Sequence, residues 1–124
     1  MMITNPIADL LTRIRNANQM RYEKLLVPRS KMKMKILAVM KKTGFIKDFH
    51  LDKIQKNILI YLKYTDDKER VIKGLKRVSK YVSVKQIPKV SHFGIALIST
   101  SKGILTNHEA LSQNIGGQVL AYIW

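Results

Sequence analysis

At Gly44 the apolar period of this chain changes, and that change limits what it can fold into. Before Gly44 the apolar residues recur at helical spacing. Ile7, Leu10, Leu11, Ile14 and Ala17 share one face of a helix that Asn5 caps and Pro6 opens. Arg13, Arg15, Asn16 and Asn18 fall elsewhere on that helix, and Asp9 pairs with Arg13 one turn on. "KLLVP", Lys24 to Pro28, is a short strand stopped by proline. Ser30 caps a second helix, whose buried stripe is Ile36, Leu37 and Met40. Its wet face is Lys31, Lys33, Lys35, Lys41 and Lys42, and Gly44 stops it. After Gly44, "FIKDFHL" and "NILIYLKY" alternate or run apolar and β-branched, as strands do, and "TDDKER" is a turn.

The remainder is mostly strand. "VIKGLKRVSKYVSV" interleaves apolar positions with Lys73, Lys76, Arg77, Lys80 and Lys85, and "IPKV" reads as the edge or start of a strand. "FGIALIS" is a strand, Gly103 marks a tight turn, and "ILT" returns. Asn107 caps a short helix, "HEALSQ", which Gly116-Gly117 ends, and "QVLAYIW" is the last strand. The expected fold is therefore α+β in two small blocks. Residues 1–80 form an N-terminal α-β-α-β-β block. Residues 81–124 form a C-terminal block, mostly antiparallel β with one short helix. No internal repeat or low-complexity tract occurs.

A chain of 124 residues can bury a core, and 46% apolar content is ordinary. Its charge is not. With 23 Lys+Arg against 8 Asp+Glu the net charge is +15, and the sequence pI is near 10.2. From Val71 to Trp124 there are 7 Lys+Arg and only Glu109 as an acid. Such charge repels itself unless a polyanion takes it up, and a strongly basic domain carries the footprint of nucleic-acid binding. No apolar run approaches the ~18 residues of a spanning helix. The start, "MMITNPIADL", lacks the pattern of a secretory signal or transit peptide. The basic helix from Lys31 to Lys42 has no Trp or Phe in its apolar stripe, so it reads as a solvated face packed on a sheet rather than a membrane helix. Cysteine is absent, which excludes disulfides and thiolate metal sites and fits a reducing compartment. His50, His92 and His108 are scattered without metal-ligand spacing and read as surface or turn residues.

"ISTSKGILT", Ile98 to Thr106, holds the densest chemistry. Ser99-x-x-Lys102 has the spacing of a serine nucleophile with a lysine base. But the hydroxyls end a strand, Gly103 follows the lysine at once, and the companion S-D-N and K-T-G motifs are missing. Neither G-x-x-x-x-G-K-[ST] nor G-x-G-x-x-G occurs, which argues against an ATPase or kinase. The reading left is grip. Ser99, Thr100 and Ser101 offer donors and acceptors on short arms, Lys102 adds charge, and Gly103 lets a partner come close. RNA suits them better than DNA, because the wide A-form minor groove displays 2′-hydroxyls, and no recognition helix is evident. Tyr81, in a basic stretch, is either a stacking residue or ordinary sheet packing. Lys31, Lys76, Arg77 and Lys80 supply positive field. No catalytic residue, metal, cofactor, small-molecule substrate or membrane is called for.

Six motifs in order, "NPIADLLTRIRNA", "GFI", "GLKRVSK", "IPKV", "STSKGILT" and "GGQVLAYIW", carry a resemblance over nearly the whole chain, from Thr4 to Trp124. It resembles the bacterial and organellar family of ribosomal protein eight of the small subunit. The resemblance implies two α+β blocks and binding to a helical stem in the central domain of small-subunit rRNA, early in assembly. It also implies neighbouring small-subunit proteins as partners, and a place on the ribosome of a bacterial cytoplasm or of an organelle such as a plastid. Ser99, Thr100, Ser101 and Gly103 match the family's hydroxyl loop, which enters the RNA minor groove. Arg13, Arg15 and Asn16 match first-helix residues near RNA. Two departures stand out. Gln118 replaces the family's usual glutamate, whose carboxylate braces the hydroxyl loop, so the charge-assisted bond is lost. "SKYVSVKQIP" is also shorter than the family's Pro-Gly-x-Arg-x-Tyr region, which removes one arginine contact and bears on Tyr81. The alternative within binding proteins is a general basic RNA chaperone off the ribosome.

Overall fold

The computed structural model describes residues 6–52, 54, 56–90 and 94–124. The cap expected at Asn5, and the readings of His92 and Phe93, lie outside them. The chain divides into two compact units, Met1–Ile72 and Lys73–Trp124.

The first unit runs α1 (Pro6–Gln19), β1 (Lys24–Pro28), α2 (Lys31–Lys42), β2 (Ile46–Asp52) and β3 (Asn57–Leu62). Its three strands are antiparallel in the order β1-β3-β2. The central strand β3 alternates strictly: Ile58, Ile60 and Leu62 are buried, while Asn57, Leu59 and Tyr61 are half-buried. A period of two is what a sheet with one covered face requires. α1 buries Leu10, Leu11, Ile14 and Ala17, and α2 buries Ile36, Leu37 and Met40, at the spacing read from the sequence. Full burial of each such leucine, isoleucine or methionine is worth roughly 1.5–3 kcal/mol.

The ends of α2 follow its caps. Lys33 N–H donates to Ser30 Oγ at 3.0 Å. At the other end Phe45 N–H donates to Met40 O and Gly44 N–H to Lys41 O, the paired bonds of a Schellman motif. Gly44 takes the left-handed backbone that motif needs, φ 84°.

Two polar residues differ from the sequence reading. Lys33 is not on the wet face of α2. It is buried, and its ammonium reaches back to donate to Pro28 O at 3.1 Å. A helical lysine can bury its stem and keep its head on a carbonyl, which a wheel drawn from residue types does not reveal. Asn18 is also buried, and its amide donates to Ile72 O at 2.8 Å.

The second unit runs β4 (Leu75–Val82), a 3₁₀ turn (Val84–Gln86), β5 (Ile95–Thr100), β6 (Gly103–Thr106), α3 (Asn107–Ser112) and β7 (Gly117–Ile123). Its antiparallel sheet has the order β4-β7-β5-β6. The core joins Val82, Ile87, Ala96, Ile98, Leu105, Ala110 and Val119. The chain as a whole is α+β, with helix and strand mixed in the first unit and one short helix on an antiparallel sheet in the second. The division expected after Lys80 falls inside β4, which pairs with β7, and the units part after Ile72.

Local details of this unit correct the sequence reading. Residues 87–90 form no strand. Thr106, not Asn107, caps α3: its hydroxyl accepts from Glu109 N–H, while Glu109 accepts from Thr106 N–H, a capping box. Asn107 is instead buried and accepts from Ala96 N–H at 3.0 Å, tying α3 to β5. Nor do Gly116-Gly117 end the helix. Asn114 does so with φ 56°, while Ile115 N–H reaches Ala110 O. The last residue closes the unit on itself. Trp124 N–H donates to Gly74 O and Trp124 O accepts from Gly74 N–H, with the indole ring over Gly74 where any Cβ would collide at 2.2 Å.

Because Lys33 and Lys31 differ in burial, their alanine variants should differ in stability. Lys33→Ala is expected to lose about 1–2 kcal/mol, through the lost carbonyl bond and the lost packing of the stem. Lys31→Ala should stay within about 0.5 kcal/mol of the parent. Urea unfolding of both variants measures the contrast, and equal effects would place Lys33 back on the solvated face.

Candidate nucleic-acid interface

The hydroxyl segment forms the turn between β5 and β6. Thr100 pairs with Gly103 across the hairpin, and Ser101-Lys102 make the exposed tip. Two-residue hairpins usually take positive φ at their central residues. Neither Ser101 nor Lys102 does. The left-handed requirement falls on Gly103, φ 103°. Thr100 fixes the shape: its hydroxyl accepts from Lys102 N–H at 3.1 Å and donates to Gly103 O at 2.9 Å. Its one proton is thereby used inside the turn. Ser101 carries the exposed hydroxyl of the tip, and nothing lies within 4 Å of where a Cβ on Gly103 would stand.

Next to this turn, β7 comes unusually close. A Cβ on Gly117 would stand 2.2 Å from Ser99 O, and one on Gly116 would stand 2.5 Å from Val82 O. The glycine pair is thus a site of close backbone approach, the other meaning of glycine at a strand. That approach sets the register in which Ser99 faces Gln118 and Gln118 faces Tyr81. Directly opposed residues share a face, so Tyr81, Gln118 and Ser99 form one row across three strands. Gln118 does not turn to the hydroxyl turn; its amide donates to Ser79 Oγ on β4 at 3.1 Å. Ser79 is a member of this group that the sequence reading missed; it lies two residues before Tyr81, on the same face of β4 and diagonal to Gln118. Tyr81 is 79% exposed, which removes the sheet-packing explanation for its ring.

Of the remaining cations, Lys80 opposes Val119 beside Tyr81, while Lys76 and Arg77 lie further along the same edge strand opposite Tyr122 and Ala121. All three are exposed. The structure therefore gathers Ser99, Thr100, Ser101, Lys102, Gly103, Gln118, Tyr81 and Lys80 at one end of the second unit's sheet. Arg13, Arg15, Asn16 and Lys31 belong to the first unit. Arg13 pairs with Asp9 at 3.0 Å as its i,i+4 spacing suggested, Asn16 and Lys31 are exposed, and Arg15 is half-buried.

This geometry does not suit nucleophilic catalysis. Ser99 lies within a strand and Lys102 at an exposed turn, not one helical turn apart. Among the described residues no three His, Cys, Asp or Glu groups come together to hold a metal ion, and no helix is long and apolar enough to cross a membrane.

Comparison with known proteins gives the class first. Residues 5–124 match the family model of ribosomal protein S8, so the chain is a ribosomal protein and not a member of an enzyme class. The small ribosomal subunit protein uS8 of Aster yellows witches'-broom phytoplasma is 62% identical over the full length of both chains. Those of Acholeplasma laidlawii and Lacticaseibacillus casei are 57% and 53% identical, again over the whole of each. The chain belongs to the ribosomal protein S8 family, whose members are constituents of the small subunit of the bacterial ribosome in the cytoplasm.

The two glycines of this site have different tasks, and substitution separates them. Gly103→Ala meets open space and costs only the left-handed backbone, about 1–2 kcal/mol. Gly117→Ala must push β7 from the Ser99 carbonyl and should cost clearly more. Denaturant unfolding of both variants tests the order, and the reverse order would contradict the close β5–β7 approach.

Proposed function

We propose that this protein binds a helical stem in the central domain of small-subunit rRNA and helps that region assemble. The observation that carries the reading is the β5–β6 turn. It offers one free hydroxyl at Ser101, a lysine beside it at Lys102, and a glycine at Gly103 with open space above. A shallow A-form minor groove presents 2′-hydroxyls at the depth such a turn can reach. Thr100 acts on this reading by holding the turn, Ser101 by pairing with a sugar hydroxyl or base edge, and Lys102 by meeting a phosphate. Tyr81 offers an exposed face on which an unpaired base of the stem stacks. Lys76, Arg77 and Lys80 along β4 follow the backbone, and Arg13, Arg15, Asn16 and Lys31 of the first unit add further contacts. Gln118 sits in the same row but is engaged with Ser79, so its part is to fix β4 beside β7. Neighbouring small-subunit proteins are the remaining partners.

Filter binding of the purified protein to the stem and to a duplex of equal length, at two salt concentrations, tests this. Ser101→Ala should weaken stem binding about three- to tenfold, the worth of one hydrogen bond, and leave duplex binding unchanged. Replacing exposed Lys31 and Lys35 should lower affinity for all RNAs and flatten the salt slope. Equal, salt-sensitive binding of the parent to stem and duplex would instead mark a general RNA chaperone.

A further inference from the structure

The open face of the first unit's sheet carries a second group of side chains that the stem reading does not use. Ile58, Ile60 and Leu62 of β3 are buried, so Leu59 and Tyr61 project to the other face. Register places Lys24 and Asp48 on either side of Tyr61, and Leu26 and His50 on either side of Leu59. The His50 and Tyr61 rings meet edge to face, with centroids 5.6 Å apart and planes at 77°. Beside them is a recess of about 360 Å³ lined by Glu23, Lys47, Tyr61, Leu62, Lys63 and Tyr64, within the size range of ligand sites.

The charge here is less mixed than the residue types suggest. Asp48 is taken up by Lys41 at 2.9 Å and His50 at 3.4 Å. The Lys41 hydrogen bond holds its carboxyl below the usual carboxylate range. Asp52, at the far end of β2, accepts from Ile54 N–H. That leaves Lys24, Lys47 and Lys63 around Tyr61, against Glu23 alone in the recess. The solvent face of an antiparallel sheet is ordinarily polar throughout. An aromatic and aliphatic centre ringed by lysines is instead what RNA-binding sheets use, with bases on the rings and phosphates on the cations. A protein partner fits less well, since lysine is depleted in protein interfaces.

We propose that this face holds an unpaired RNA nucleotide, its base against Tyr61 and Leu59 and its phosphate on Lys47 and Lys63. It is a contact of the first unit, separate from the hydroxyl turn of the second, and stands whether or not the stem reading does.

The test uses the full-length protein and a short oligouridine. Fluorescence anisotropy gives affinity, and NMR of the aromatic rings gives place. Saturating oligouridine should move the Tyr61 and His50 ring signals. Tyr61→Leu, which keeps apolar bulk and charge, should weaken oligouridine binding about tenfold while leaving duplex binding unchanged. Lys47→Ala with Lys63→Ala should weaken oligouridine binding more than Lys31→Ala with Lys35→Ala, an equal loss of charge elsewhere on the same unit. Ring signals that stay put at saturation would give the face to a protein neighbour and overturn the proposal. Equal losses from the two lysine pairs, or a Tyr61→Leu loss equal on oligouridine and duplex, would overturn it as well. If Tyr61→Leu does not fold, the ring shifts of the parent protein and the lysine comparison decide.

Discussion

The approach of β7 to β5 at Gly117 governs the second unit. With no Cβ there, the chain passes against the Ser99 carbonyl, and β7 becomes the shared partner of β4 and β5. Everything at that end of the sheet depends on it. Ser99 faces Gln118, Gln118 faces Tyr81, and the hairpin carrying Ser101 projects just beyond. Any side chain at residue 117 would separate two strands whose hydrogen bonds set this register. The hydroxyl turn is thus positioned by a glycine on a different strand, while the glycine inside the turn only supplies its backbone conformation.

The fold also has to contain a net charge of +15. It does so by placing cations at a few anchored positions and leaving the rest in water. Lys33 gives its ammonium to Pro28 O, Arg13 pairs with Asp9, and Lys41 pairs with Asp48. The two exposed ion pairs are worth little on their own. Their effect is to decide which cations remain unpaired and where. Lys76, Arg77, Lys80 and Lys102 remain exposed on the sheet that carries the hydroxyl turn, and a polyanion relieves the repulsion they leave.

Much of this was legible in the sequence, for physical reasons that also explain the gaps. Helical spacing gave α1 and α2 because their apolar residues face a single layer, and β3 alternated because one face of its sheet is covered. Four of the six motifs that carry the family resemblance hold a glycine at a turn or close approach, namely Gly44, Gly74, Gly103 and the Gly116-Gly117 pair. Burial of Lys33 and Asn18 is not legible, because it depends on a distant carbonyl, at Pro28 or Ile72, that helical spacing does not show. The Gly116-Gly117 pair reads as a helix end because glycine signals a left-handed turn and a close approach alike. Asn114 had already supplied the turn. The row of Tyr81, Gln118 and Ser99 is out of reach of the sequence, since it rests on register between strands far apart in the chain.

Strand order has a consequence for the timing of synthesis. β7 is made after β4, β5 and β6, yet it lies between β4 and β5 in its sheet. Trp124 closes that sheet on Gly74. Domains assemble during translation from the N-terminus onward, so the first unit is free to fold while the chain is still growing. The second unit lacks an inner strand until β7 has been made and has cleared the ribosome. A chain stalled before β7 would therefore lack the strand that positions the hydroxyl turn. Synthesis of β7 thus becomes a condition for the second unit's row of Tyr81, Gln118 and Ser99 to exist.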